Sequence, residues 1–384
     1  MPVRATKRGA DRTPLSGNWD VLVCGASFAG LAVARELRGS GARVLVVDRY
    51  EIGERQTSAC AAPTELLEAM GLGPSIRQTF GTLVVHTPRV SRRWRLPFTF
   101  STFDYPQLCA LLWEQAGDAT FETAKVERRE GFTVHTDRGA LTAPIVVDAL
   151  GWRRVLSGCT AIQPPDATLS RGLEVHPAGA GDDLELWLDT RYVTPGYSWS
   201  FPAHDEVRVG VGSFDPRVTV KQPTLDLVED VGRSPDGYQG NWIPHRLRPA
   251  TEDGVFFVGD SAGHCLPTTA EGIRPALYFG ALLGRELRAV VEGAQDVSEA
   301  LARYHAVSAA HRVPFESLFG VQQSIRFLHG PVMDALTRAF SRPRISRWAF
   351  GHYLDICPPS AVLPAPPLPA ASSPAPAPAV GAAA

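Results

Sequence analysis

Asp20-Val21-Leu22-Val23-Cys24-Gly25-Ala26-Ser27-Phe28-Ala29-Gly30 runs from a short apolar stretch through a glycine turn into a helical pattern carried by Ala29, Leu31, Val33, Ala34 and Leu37. Arg43-Val44-Leu45-Val46-Val47-Asp48 then forms a second apolar run. Strand, helix and strand within about thirty residues make a βαβ unit, and runs apolar at consecutive positions suit parallel strands buried on both faces. The fold class is therefore α/β. Gly25 permits a tight turn, Gly30 lets the helix pack closely, and the helix N-terminus offers free N–H groups to a pyrophosphate. Asp48 ends the second strand where an acid meets a ribose, with Arg49 beside it. Ser27 replaces the usual second glycine, which restricts backbone approach there. The competing account is a glycine-rich turn in an ordinary α/β protein.

Further along, the pattern predicts a helix over 104–116, strands over 132–136 and 145–148, and a strand-rich stretch from 160 to 249 that includes 184–188, 197–201 and 207–211. A buried strand returns at 255–258, a long helix follows over about 272–291, and helical stretches continue to about Leu354. The resulting organisation is a leader without order (1–18), a discontinuous Rossmann-like domain (19–159 and 250–295), an inserted β-rich substrate domain (160–249), a C-terminal helical region (296–356) and a Pro/Ala-rich tail without order (357–384).

Bulk composition narrows the class. The 384 residues suit about two domains sharing an interface. A net charge of -2 gives no field that would gather nucleic acid or an anionic membrane over the whole surface. Six cysteines without C-x-x-C spacing argue against a zinc site and against a disulfide scaffold, so no metal is expected and a reducing cytoplasm fits. The N-terminus has basic residues but no apolar segment after them, unlike a secretory signal.

A second motif, Val258-Gly259-Asp260-Ser261-Ala262-Gly263-His264, ends the late buried strand, and Glu271-Gly272-Ile273 opens the long helix. Here the chain resembles the geranylgeranyl reductase-like FAD-dependent oxidoreductases, within the wider group of aromatic hydroxylase-like flavoproteins. The resemblance implies FAD as cofactor, with Asp260 of the Gly259-Asp260 pair on the ribityl chain and the helix start at Gly272 and Ile273 directed at the isoalloxazine. Tyr197-Ser198-Trp199-Ser200-Phe201-Pro202 looks like that family's Y-x-W-x-F-P element, which shapes the substrate cavity, although Pro195 lies one residue closer to Tyr197 than is usual. Phe103-Asp104 with Leu108 looks like its F-D-x-x-L helix start. Cys60 sits where related reductases carry a cysteine facing the flavin, which makes it the first candidate acid, with Glu271 the second and Arg274 beside it. Each has a plainer account: Tyr197, Trp199 and Phe201 share one strand face and could be core, Cys60 could be an inert buried thiol, and Arg274 could be solvated.

Absences separate relatives. The only lysines are Lys7, Lys125 and Lys221, none placed like the halogenases' catalytic lysine, and Asp148-Ala149-Leu150-Gly151 departs from the hydroxylases' Asp-Gly pair. No second dinucleotide fingerprint is present, so the electron donor (NAD(P)H, ferredoxin or a reductase) must be external. The resemblance thus implies reduction of carbon–carbon double bonds in an isoprenoid or similar lipid. Alternatives are an FAD monooxygenase or epoxidase of a hydrophobic substrate, and a non-catalytic flavin- and lipid-binding protein. From 313 to 354 apolar residues, among them Phe327, Leu336, Phe340, Trp348 and Phe350, interleave with Arg326, Arg338, Arg342, Arg344 and Arg347. Two accounts stand: helices with solvated arginines covering the flavin domain, or a tunnel wall that rests peripherally on an anionic membrane.

Overall fold

The computed structural model describes residues 13–158, 166–328 and 330–362. In chain order the first elements are β1 (Val21–Cys24), α1 (Phe28–Glu36), β2 (Val44–Asp48), β3 (Ala61–Pro63), α2 (Thr64–Ala69), β4 (Ile76–His86), β5 (Ser91–Phe103), α3 (Tyr105–Ala116) and β6 (Thr120–Thr123). The middle holds β7 (Val126–Glu130), β8 (Thr133–Thr136), β9 (Gly139–Thr142), β10 (Ile145–Asp148), β11 (Leu169–Val175), β12 (Leu184–Trp187), β13 (Gly196–Ala203), β14 (Glu206–Ser213), α4 (Lys221–Asp230) and β15 (Gln239–Pro244). The chain ends through β16 (Thr251–Glu252), β17 (Val255–Phe257), α5 (Ile273–Val291), α6 (Val297–Ala310), α7 (Arg312–Ser324), α8 (Pro331–Phe340) and α9 (Pro343–Asp355).

The first sheet has the order β16-β17-β10-β1-β2-β6, and β17, β10, β1, β2 and β6 are parallel. Its centre is wholly apolar and buried on both faces: Val21, Leu22, Val23, Val46 and Val47 are fully buried, in one core with α1, α3 and α5 and with Val134 of β8 and Leu141 of β9. Strand order reverses between β1 and β10, the switch point outside whose carboxyl ends a ligand crevice forms. Gly25 is required there, since its φ is +117° and a Cβ would come within 2.2 Å of the Ala149 carbonyl oxygen. A Cβ at Gly30 would lie 1.9 Å from the Gly25 carbonyl oxygen, so α1 can leave the turn only with glycine at both positions.

The second sheet has the order β15-β11-β14-β13-β12-β4-β5-β3, and a small third sheet joins β7, β8 and β9. The predicted boundaries need correction here. Residues 61–103, assigned from sequence to the dinucleotide-binding part, supply β3, β4 and β5 to the second sheet, where β4 pairs in parallel with β12. The β-rich unit is therefore built from two excursions of the chain. The expected helix over 104–116 is α3, with Asp104 capping it by accepting from the Gln107 N–H at 2.8 Å.

The ends also differ from expectation. Residues 13–18 run alongside the third sheet, where the Leu15 N–H donates to the Arg138 carbonyl at 2.7 Å. Cys357 and Val362 are fully buried, and Arg285 Nη1 donates to the Ala361 carbonyl at 2.7 Å, so apolar burial holds the start of the presumed tail. The rest of the predicted leader and tail, 1–12 and 363–384, lies outside the described residues.

Candidate functional site

A cavity of about 720 Å³ opens outside the carboxyl ends of β1 and β2 and continues against the second sheet. Ser27, Asp48, Arg49, Gly259, Asp260, Gly272 and Ile273 line one part, and Cys60, Tyr197, Trp199, Phe201 and Glu271 line another. Residues far apart in sequence thus meet at one place. Gly25 and Gly30 stand behind the wall as the close contacts that shape it. Pro202 does not line it. A strand turns successive side chains to opposite faces, so Pro202 follows the buried Ser198 and Ser200 while Tyr197, Trp199 and Phe201 face inward.

At the dinucleotide end, Ser27 is the N-cap residue of α1 but makes no side-chain cap; its hydroxyl is bonded instead to the Tyr105 hydroxyl at 3.1 Å. The Asp48 carboxylate accepts the Ala26 N–H at 2.8 Å and the Tyr50 N–H at 3.0 Å, which stiffens the turn. Burial raises its pKa, and those two bonds pull it down. Across the cavity, the Asp260 carboxylate has no hydrogen-bond partner among the described residues, and burial pushes its pKa up to about 6 against the lowering pull of Arg248. A carboxylate so placed calls for a hydroxyl donor. The 19-residue α5 begins at Ile273 on the cavity wall, bringing its positive end to the same space.

The two candidate acids are placed less favourably. Cys60 is fully buried in the left-handed region, with φ of 51°, and burial pushes its thiol well above the usual range. Such a thiol keeps its proton and gives it up reluctantly. Glu271 is committed elsewhere: its two oxygens accept from Arg274 Nε and Nη2, both at 2.9 Å, and one also accepts from the Tyr353 hydroxyl. Thr269 Oγ1 donates to Tyr353 at 2.6 Å, and the Tyr197 hydroxyl donates to the Thr269 carbonyl. Glu271 thereby ties α9 to the cavity wall, and Arg274, predicted as either a site or a solvated residue, is fully buried.

Sequence reasoning missed the β5 side of the cavity's apolar arm, while its tunnel-wall account had named Leu336, Phe340 and Phe350. Trp94, Leu96, Phe98 and Phe100 project from β5, and Leu336, Phe340 and Phe350 approach from α8 and α9, with the Trp94 and Phe340 rings stacked at 5.2 Å. The signal was present as strict alternation over 93–100. It also missed Tyr353 and Glu174, which only the fold brings to the wall.

Trp199 crosses β14, where its ring lies over Gly210 and Gly212, and donates from Nε1 to Glu174 at 3.1 Å. Because the ring lines the cavity, Trp199→Ala is expected to lower kcat/KM about 10- to 100-fold through lost apolar contact. Retained flavin and a denaturation midpoint shifted less than for a core tryptophan are expected alongside. Normal kinetics in a strongly destabilised variant would return Trp199 to the core.

Among curated proteins, the chain is 25% identical over 323 residues to digeranylgeranylglycerophospholipid reductase 3 of Methanosphaera stadtmanae, a match that covers 74% of this chain and 81% of that one. It is 26% identical over 221 residues to the chloroplastic geranylgeranyl diphosphate reductase of Arabidopsis thaliana, covering 54% of this chain and 44% of that one. A solved geranylgeranyl bacteriochlorophyll reductase-like protein of Thermoplasma acidophilum has the same fold, with a TM-score of 0.76 at 17% identity over 90% of this chain and 98% of that one. A probable FAD-dependent monooxygenase of Pseudomonas aeruginosa gives 0.59 at 20% identity over 88% of this chain and 100% of that one. No family model matches. Fold and sequence likeness together make the chain an oxidoreductase of the flavoprotein class. Within that class it is geranylgeranyl reductase-like.

Proposed function

We propose that the chain binds FAD without a covalent link and reduces carbon–carbon double bonds of an isoprenoid lipid. The observation that carries this reading is the continuity of one cavity from a dinucleotide crevice into an apolar arm between β4, β5 and β12 on one side and α8 and α9 on the other. The residues suit the cofactor: the α1 N-terminus would hold the pyrophosphate, Asp48 a ribose, and the partnerless Asp260 a ribityl hydroxyl. Bound there, the flavin would supply hydride taken from an external donor. The chain's own part is to exclude water with the β5 and α8 side chains, and to orient an extended apolar substrate against Trp199 and Phe201. Anaerobic reduction followed by reoxidation with a polyprenyl lipid tests the reading. Reoxidation by air alone, coupled to an oxygenated product, would favour a monooxygenase instead.

A substrate with long apolar chains needs an entry from lipid, and the apolar arm reaches the surface at Leu336, which is both part of the cavity wall and exposed. Phe327 and Trp348 stand out nearby, 71% and 64% exposed, among the exposed Arg326, Arg338, Arg342, Arg344 and Arg347. No helix among the described residues is long and apolar enough to cross a membrane. Peripheral contact is therefore the mode we assign to this face. Sedimentation with anionic vesicles is expected at low salt and should weaken as salt rises. Arg342→Gln, Arg344→Gln and Arg347→Gln together should reduce it without loss of flavin. Indifference of the wild-type protein to anionic vesicles would reject the contact.

A further inference from the structure

Trp199, Gly210 and Glu174 form one cross-strand row over β13, β14 and β11. A Cβ at Gly210 would lie 2.3 Å from a Trp199 ring carbon and 2.7 Å from the Glu174 Cβ. Glycine leaves a gap in the sheet surface, and the indole fills it to reach the carboxylate. Glu174 is only 2% exposed, yet it belongs to the cavity wall. A carboxyl group withdrawn this far from water needs hydrogen-bond partners. Trp199 Nε1 supplies one, and His176 Nε2, 2.9 Å from Glu174 Oε1, supplies the other.

The polar row continues outward. His176 Nδ1 lies 4.0 Å from Glu206 Oε2, and Glu206 is partly exposed. Arg208, itself 1% exposed, fixes Glu206 through Nε at 3.0 Å and Nη2 at 2.7 Å. The same guanidinium holds the Ala59 and Cys60 carbonyls through Nη1 and the Phe103 carbonyl through Nη2, so the Cys60 loop and the row share one anchor. Other titratable groups face the same space. Tyr197 has its hydroxyl proton engaged by the Thr269 carbonyl, and the Cys60 thiol is held protonated by burial, with Arg208 lowering it and Glu174 raising it. Neither is an acid ready to act, whereas Glu174 carries a line of groups from cavity to solvent.

We propose that Glu174 is the proton donor of this cavity, recharged from solvent through His176 and Glu206; this rests on reading the site as a double-bond reductase. The π electron pair of the double bond takes the Glu174 carboxyl proton at one carbon, and the other carbon, left electron-poor, takes the hydride that a bound dihydroflavin would supply. The resulting carboxylate regains its proton from solvent by way of His176, with Glu206 at the outer end of the row. The sum is one hydride and one proton added across one double bond. Cys60 then shapes the wall and is not the acid.

Glu174→Gln preserves size and an acceptor for Trp199, so it tests the proton alone. In the flavin-loaded full chain, flavin content and anaerobic reduction should match the wild type. Reoxidation by a polyprenyl lipid should fall about 100-fold or more, the scale of a general acid. The wild-type decline of that rate with rising pH should vanish. A second readout needs no turnover: tryptophan emission of the substrate-free protein should show a pH step that is absent in Glu174→Gln and in Trp199→Phe, and displaced in His176→Gln. Wild-type reoxidation rate and pH profile in Glu174→Gln would overturn the assignment, as would an emission step that survives that substitution. If no polyprenyl lipid reoxidises the wild-type protein, the reductase reading fails. The emission titration then decides for Glu174 separately, and absence of a step in the wild type rejects it.

Discussion

Arg274→Met is expected to lower stability by about 3–5 kcal/mol, because it leaves the Glu271 carboxylate buried without its partner. Burial alone would lower the Arg274 pKa, but Glu271 beside it turns the net shift upward, the mark of a well-compensated buried pair. The loss extends beyond the pair. Arg274 also donates to the Tyr353, Leu354 and Cys357 carbonyls at 3.3, 3.2 and 3.1 Å, so one guanidinium ties the start of α5 to the end of α9. Denaturant unfolding of the wild type, both single variants and the Glu271→Gln/Arg274→Met double variant should show a double variant less destabilised than the sum of the singles. Additive losses would mean that the two residues act independently.

Asp260→Ala is expected to weaken flavin binding by about 1.5–3 kcal/mol, the range for a hydrogen bond to a charged acceptor. The sign of the pH dependence follows from the carboxyl held at about 6 before ligand binds. A folded-state pKa raised above the unfolded value contributes stability at low pH that is lost as pH rises through about 6. A hydroxyl donated by the ligand favours the ionised form, so binding lowers that pKa. Flavin affinity should then fall as pH drops below about 6, by at most tenfold per unit. Equilibrium binding to deflavinated protein between about pH 5 and pH 8 should show this slope in the wild type and a flat line in Asp260→Asn. Unchanged affinity in Asp260→Ala removes the residue from the site.

The parts of this site that were legible are those written locally. Gly25, Gly30 and Asp48 fall inside one βαβ unit, so spacing located them, whereas Asp260 and Gly272, at one strand end and one helix start, were singled out by the family resemblance. The alternation of Tyr197, Trp199 and Phe201 gave their common face correctly, while the motif match carried Pro202 onto the opposite one. The strands of residues 61–103 escaped notice although Trp94, Leu96, Phe98 and Phe100 alternate with Arg93, Arg95, Pro97 and Thr99. Their destination was harder still, since nothing within that stretch names β12 as its neighbour. Glu174 and Tyr353 carry no motif. Glu174 gains its meaning from a glycine on the next strand and a tryptophan on the one beyond, and Tyr353 from a buried pair about eighty positions away.

The pairing of Leu83 with Leu184 joins segments about one hundred positions apart, and the first sheet waits even longer for β17 to dock on β10. A ribosome would therefore release the glycine turn early, long before either sheet can close around it. Loop closure across such separations is slow and leaves strand edges open in the interval. Holoprotein should consequently form only after the chain is essentially complete. A fragment ending near residue 159 would hold the fingerprint and still leave β4 without β12 and β10 without β17, a species prone to aggregate rather than a small folded domain.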